Sequence, residues 1–262
     1  MKRILGVFLV ALACSSVAND TWLVQGGSPI TRRKHPTVRM REEHVRMWVY
    51  WNHVDTDCTF VFVNDGPATS VRIGFPDDAY RELPEDFAPE LKGFRSWVNG
   101  VPVATKFEKV GWQAFHAKTV RFPAYSTVRV RDRYRVEIGG SVGYGPYYTN
   151  IVAYILHTGR TWKGNIGRTI VDVYFDPEFF SPTSLISKRD FGIGLDRMEA
   201  KDGSSGNKAR NSYLESKSRA LLFQGPSRPT LKNGRVRFIR SNYEPTQEHD
   251  VWLEFLRRAK RT

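Results

Sequence analysis

Cysteine is scarce: Cys14 and Cys58 are the only two in 262 residues. Cys14 lies in an N-terminal stretch expected to be removed, so the mature chain keeps Cys58 alone and no intrachain disulfide can form. The fold must then rest on an apolar core, which an aromatic content of 13% can supply. Cys58 itself sits in the strand-like run Asp57-Cys-Thr-Phe-Val-Phe-Val63, where a small buried hydrophobe is expected rather than a reactive thiol.

Long apolar runs are also missing. The apolar run from Ile4 to Ala13 falls well short of the roughly 20 residues a membrane-spanning helix needs. Lys2-Arg3 before it and Ser16-Val17-Ala18 after it complete the layout of a secretory signal peptide over residues 1–18, with cleavage after Ala18. A second reading takes Ala11-Leu12-Ala13-Cys14 as a lipoprotein processing site and anchors the product through Cys14. Either way the expectation is export, to the periplasm or beyond the cell.

Catalytic and metal-binding spacings are absent too. Histidines 35, 44, 53, 116, 157 and 249 form no His-Glu-x-x-His or other paired spacing, so no metal is expected. Asp55-Thr-Asp57 and Asn64-Asp65 lack the pattern of a calcium loop. Gly139-Gly-Ser-Val-Gly143 has the letters of a Gly-x-Ser-x-Gly elbow, but the glycines from Gly139 to Gly145 lack the strand-turn-helix setting that a nucleophile elbow or a dinucleotide site needs. No catalytic residue and no cofactor is assigned on this basis. Helical periodicity is rare, with short helices expected only around Glu85 to Lys92 and Ser212 to Leu222.

What is present is alternation with the period of strands. Val45, Met47 and Val49 alternate with Arg46, Trp48 and Tyr50, and Phe60-Val-Phe-Val63 reads as a central strand covered on both faces. Asn99-Gly100 between apolar stubs is a hairpin signal, and Pro102 places the following strand at an edge. Further strands are expected at 113–122, 127–138, 147–157, 169–175, 234–240 and 251–256. Short strands separated by Gly, Pro and Asn turns imply an all-β fold of two β-sandwich domains, immunoglobulin-like or related, with few short helices. The boundary is placed in the glycine-rich stretch Gly139 to Pro146, giving domains at 19–140 and 141–262, and Lys201 to Lys208 is expected to be a mobile loop. The alternative is one continuous sheet in which Gly139 to Pro146 is only a long hairpin loop.

Charge is one-sided: 40 Lys and Arg face 27 Asp and Glu. Lys2 and Arg3 leave with the leader, so the mature chain carries 38 against 27, a net charge of +11. An exported protein this basic is drawn to anionic envelope polymers, glycans or headgroups, while nucleic acid is not an expected partner in that compartment. Alternation from Thr127 to Glu137 puts Arg129, Arg131, Arg133 and Arg135 on one face as a linear stripe. Such a stripe can track a polyanion or be neutralised by acids on a neighbouring strand. A second candidate is the turn Gly159-Arg-Thr-Trp-Lys-Gly164, where Trp162 would stack on a ring and Arg160 and Lys163 would donate hydrogen bonds. The competing reading has Trp162 capping the end of a core.

Three passages together resemble a bacterial secreted family, domain of unknown function 4424. They are Met40-Arg-Glu-Glu-His-Val45 with Phe60-Val-Phe-Val-Asn64, Gly66 and Gly74-Phe-Pro76; Tyr154-Ile-Leu-His-Thr-Gly-Arg-Thr-Trp-Lys-Gly-Asn-Ile-Gly167; and Asn242-Tyr-Glu-Pro245 leading into Val251-Trp-Leu-Glu-Phe255. Asn165 stands where the family pattern has proline. The resemblance implies a signal-peptide-bearing β-sandwich and supplies no catalytic residue. The function expected is therefore a non-enzymatic binding or scaffolding protein of the bacterial envelope. The alternative is an envelope glycan hydrolase or transferase with Trp162 lining the cleft.

Overall fold

The computed structural model describes residues 34–78, 91–110, 113–144, 147–199 and 203–258, with two-residue strands at 17–18 and 21–22. In chain order the strands begin with β1 (Val17–Ala18), β2 (Thr21–Trp22), β3 (Val38–Val49), β4 (His53–Asn64), β5 (Thr69–Asp78) and β6 (Lys92–Val98). They continue with β7 (Val101–Val103), β8 (Lys106–Val110), β9 (Gln113–Phe122), β10 (Thr127–Glu137), β11 (Gly139–Tyr144) and β12 (Tyr147–Ile155). The last are β13 (Ile166–Phe175), β14 (Ser184–Ser187), β15 (Ala220–Gln224), β16 (Thr230–Lys232), β17 (Arg235–Tyr243) and β18 (Val251–Arg258). Two helices, α1 (Lys188–Glu199) and α2 (Gly203–Ser216), lie between β14 and β15.

The strands form three sheets. The largest has eight strands in the order β16-β17-β13-β3-β4-β10-β6-β7. A six-stranded sheet runs β1-β12-β18-β15-β14 with β11 beside β12, and a four-stranded sheet runs β2-β5-β9-β8. β13 joins β3 in parallel, so strands from both sides of the Gly139 to Pro146 stretch share the largest sheet. Gly139–Tyr144 is itself a strand, paired antiparallel with β12. The chain is thus all-β, with the two smaller sheets packed on the inner face of the large one.

That inner face carries the core. Met47, Phe60, Phe62 and Phe238 of the large sheet join Ile73 and Phe122 of the four-stranded sheet and Tyr154 and Phe255 of the six-stranded one in a single apolar cluster. The other face of the six-stranded sheet is covered by the helices, through Phe191, Leu195 and Leu214 against Tyr147, Leu222 and Leu256. Both edges of the large sheet end in Asn-Gly hairpins. Asn99 and Gly100 have φ of 50° and 84°, and Asn233 and Gly234 have 51° and 70°, the left-handed pair a two-residue turn requires. Their outer strands, β7 and β16, are only three residues each, and a short edge is a poor template for pairing with another chain.

Several expectations meet different outcomes here. α1 was not legible, because Gly192 and Gly194 each disfavour helix by about 1 kcal/mol. At Gly194 a Cβ would meet the Tyr213 ring and hydroxyl, so a larger residue there would have to displace that side chain. Gly203–Ser216 is helical, so most of the expected mobile loop is helix. The helix expected at Ser212 to Leu222 ends at Ser216, and Ala220–Gln224 is a strand of the six-stranded sheet. Residues 1–16 with Cys14, 79–90 with most of the expected Glu85 to Lys92 helix, and 259–262 lie outside the described residues. Val17 and Ala18 pair with Tyr154 and Ile155, so the expected cleavage after Ala18 would remove β1.

Candidate ligand-binding face

The arginine stripe lies where alternation puts it. β10 is exposed at every odd residue from Thr127 to Glu137 and buried at every even one. Arg129, Arg131, Arg133 and Arg135 therefore stand on the outer face, while Val128, Val130, Asp132, Tyr134 and Val136 point into the core.

Register then gives each arginine a neighbour. β10 lies between β4 and β6, with Arg133 opposite Asp57 on one side and Arg95 on the other. Arg131 donates to Asp57 through Nε at 3.0 Å and Nη2 at 2.5 Å, and Arg133 Nε lies 3.5 Å from the same carboxylate. Arg135 grips Asp55 side-on, with Nε–Oδ1 at 2.6 Å and Nη2–Oδ2 at 2.9 Å. That hydrogen bonding holds the Asp55 carboxyl below its ordinary range despite partial burial. Farther across the sheet, Asp172 of β13 accepts from Arg237 at 2.6 and 2.7 Å and lies 3.0 Å from His44 Nε2. One row of the outer face thus runs Arg237, Asp172, Arg46, Asp57, Arg133, Arg95 across six strands.

Across β3, β4, β10 and β6 the face hollows into an open groove of about 460 Å³, lined by Trp48, Asp55, Lys92, Arg95, Trp97, Arg133 and Arg135 among others. A β-bulge in β6 between the partners of Arg133 and Arg135 helps to shape it. Its wall residues are held in place: Trp48 stacks on Tyr174 at 5.8 Å and 14°, and the Arg131 guanidinium lies 5.5 Å from the Trp97 ring. Among the described residues the lining has four cations, Lys92, Arg95, Arg133 and Arg135, and one carboxylate, Asp55, which Arg135 holds. Arg95 makes no ion pair among the described residues.

The groove can bind an anion and lay an apolar ring against tryptophan. Charged hydrogen bonds to a planar oxyanion are the strong kind. Another hollow of about 520 Å³ opens beside β14 and the start of α1. It contains neither tryptophan nor tyrosine, and its Lys188 is engaged with Glu254 and the Trp252 ring.

The second sequence candidate is not assembled as a site. Trp162 is 1% exposed, and its ring lies 4.5 Å from Phe62 and 6.0 Å from His35. It caps the core and offers no open face to a ligand. Arg160 is exposed, and Lys163 Nζ lies 3.5 Å from Asp65. Lys92, Arg95 and Trp97 were missed in the sequence although they precede the recognised Asn99-Gly100 turn, because their position beside β10 depends on a pairing between distant segments. Trp48 was visible as the polar-face partner of Val49, without an indication that it would face Arg135. Among the described residues no group of three or more His, Cys, Asp or Glu is placed to hold a metal ion, and no helix is long and apolar enough to cross a membrane.

No family model matches the chain. No curated protein matches it either. Among solved structures, it is similar to a Legionella pneumophila protein named for a proposed nutrient-binding role, with TM-score 0.60 and 16% identity over 92% of this chain and 71% of that one. An M1 zinc metallopeptidase from Deinococcus radiodurans aligns at TM-score 0.37 and 11% identity, over 85% of this chain and 43% of the enzyme. Leukotriene A4 hydrolase from Saccharomyces cerevisiae gives 0.39 and 7%, over 84% and 29%. The two enzyme alignments are too weak to support any argument, and the first shows a shared fold.

Proposed function

We propose that the chain is an exported, non-enzymatic binding protein that holds an anionic envelope ligand on the outer face of its large sheet. The observation that carries this reading is the groove in which Lys92, Arg95, Arg133 and Arg135 surround a single, already paired Asp55 between two tryptophans. A glycan hydrolase needs two carboxylates facing a bond, whereas among the described residues the groove lining has Asp55 alone. The N-terminal leader layout and the resemblance to domain of unknown function 4424 support export, and the role named for the Legionella neighbour is of the same kind.

The test is retention of purified mature protein on anionic cell-wall, glycan and phospholipid preparations at low and high salt. Binding is expected to weaken with salt and to fall in the double variant Arg95→Glu/Arg133→Glu. Salt-independent binding, or none at all, overturns the reading.

A further inference from the structure

The groove is one part of a longer cationic track. The four stripe arginines occupy alternate positions of one strand, about 6.7 Å apart, so they span about 20 Å from Arg129 to Arg135. β6 widens the track, placing Trp97 opposite Arg131, Arg95 opposite Arg133 and Lys92 opposite Arg135. The acids opposite the track are Asp57, facing Arg133 and bonded to Arg131, and Asp55, facing Arg135. Cations outnumber them, and Arg129 and Arg95 pair with no acid among the described residues.

We infer that this track holds a linear acidic polysaccharide, a chain of carboxylate-bearing sugars laid along β10; this rests on the anion-binding reading above. Three features select that class. The array is longer than one sugar, so a single small anion would engage only a fraction of it. The track lies on the exposed face of β10 rather than in an enclosed cavity, so consecutive sugars can lie along it. Trp48 and Trp97 offer flat apolar surface for the C–H faces of sugar rings, while guanidinium forks take carboxylates through paired hydrogen bonds. An inorganic phosphate chain would use the cations and leave both rings without a partner.

Calorimetric titration tests this with galacturonic acid, polygalacturonate oligomers of increasing length, inorganic polyphosphate and oligothymidylate as probes. Affinity is expected to rise at least about tenfold from the single sugar to an oligomer that fills the track, as linked contacts become intramolecular. Arg129→Ala, remote from the groove walls, should weaken the long oligomer and leave the single sugar unchanged. The double variant Trp48→Ala/Trp97→Ala should lose affinity for polygalacturonate more than for polyphosphate. If galacturonic acid binds as tightly as the oligomers, the track fails and anion binding in the groove stands. Tighter binding of polyphosphate or oligothymidylate than of polygalacturonate overturns the sugar class; no binding of any probe overturns the polysaccharide track, and retention on the anionic cell-wall and phospholipid preparations then decides the anion-binding reading separately.

Discussion

Lys118 Nζ lies 2.6 Å from Asp132 Oδ2, and neither side chain reaches solvent. Lys118 belongs to β9 and Asp132 to β10, so the pair pins the four-stranded sheet to the inner face of the strand whose outer face carries the arginines. Burying two charges is compensated only while both are present. Asp132→Leu alone is expected to cost about 3–5 kcal/mol, and Lys118→Met/Asp132→Leu to recover most of that loss. Urea unfolding of the two variants checks it. A double variant no more stable than the single one contradicts the pairing.

Trp162 and Trp48 separate core from face. Trp162→Ala should destabilise by about 3–5 kcal/mol, as expected for a large buried aromatic. Trp48→Ala removes one stacked contact with Tyr174 and should cost only about 1 kcal/mol. Chemical denaturation of both variants gives the ordering directly.

Gly167 meets the β-bulge of β3. A Cβ at this position would run into the Arg41 carbonyl, and the register of β3 shifts between Met40 and Glu42 at that point. Gly167→Ala is expected to destabilise by about 1–3 kcal/mol, the usual range for overpacking. A thermal melt of this variant against the wild type measures it.

Acid sensitivity should follow Asp172. Burial raises its pKa, but hydrogen bonds from Arg237 and His44 outweigh that and hold the carboxyl below its ordinary range. A depressed carboxyl adds stability above its unfolded pKa and loses it as pH falls through the folded one. Asp172→Asn should therefore be less stable than the wild type at neutral pH, with the gap closing from about pH 4 downward. Unfolding midpoints across that range test the sign.

The sequence disclosed what depends on neighbours within one strand. The β10 alternation, the paired faces of β3 and the Asn99-Gly100 turn all follow from local period and turn chemistry. Pairing between distant segments was not legible, and the groove depends on it: Arg95 reaches Arg133 only because β6 lies against β10. Trp162 was ambiguous for a similar reason. A glycine-flanked tryptophan reads as exposed until Phe62, a hundred residues earlier, is seen to lie against it.

The three passages resembling domain of unknown function 4424 also converge beyond the reach of any window. Glu43 from the first accepts from Tyr154 of the second at 3.1 Å and from Thr169, which in turn accepts from Tyr243 of the third at 3.0 Å. The bulge in β3 contributes, because it turns Glu43 inward where simple alternation from Val38 would turn it out. These residues form a buried polar joint between the large and the six-stranded sheets.

The central claim, that an anionic ligand binds against the outer-face tryptophans, is tested most directly by intrinsic fluorescence during titration with polygalacturonate. Wild-type emission should change saturably, the change should weaken with added salt, and it should be lost in the double variant Trp48→Phe/Trp97→Phe. An undiminished change in that variant would contradict the account.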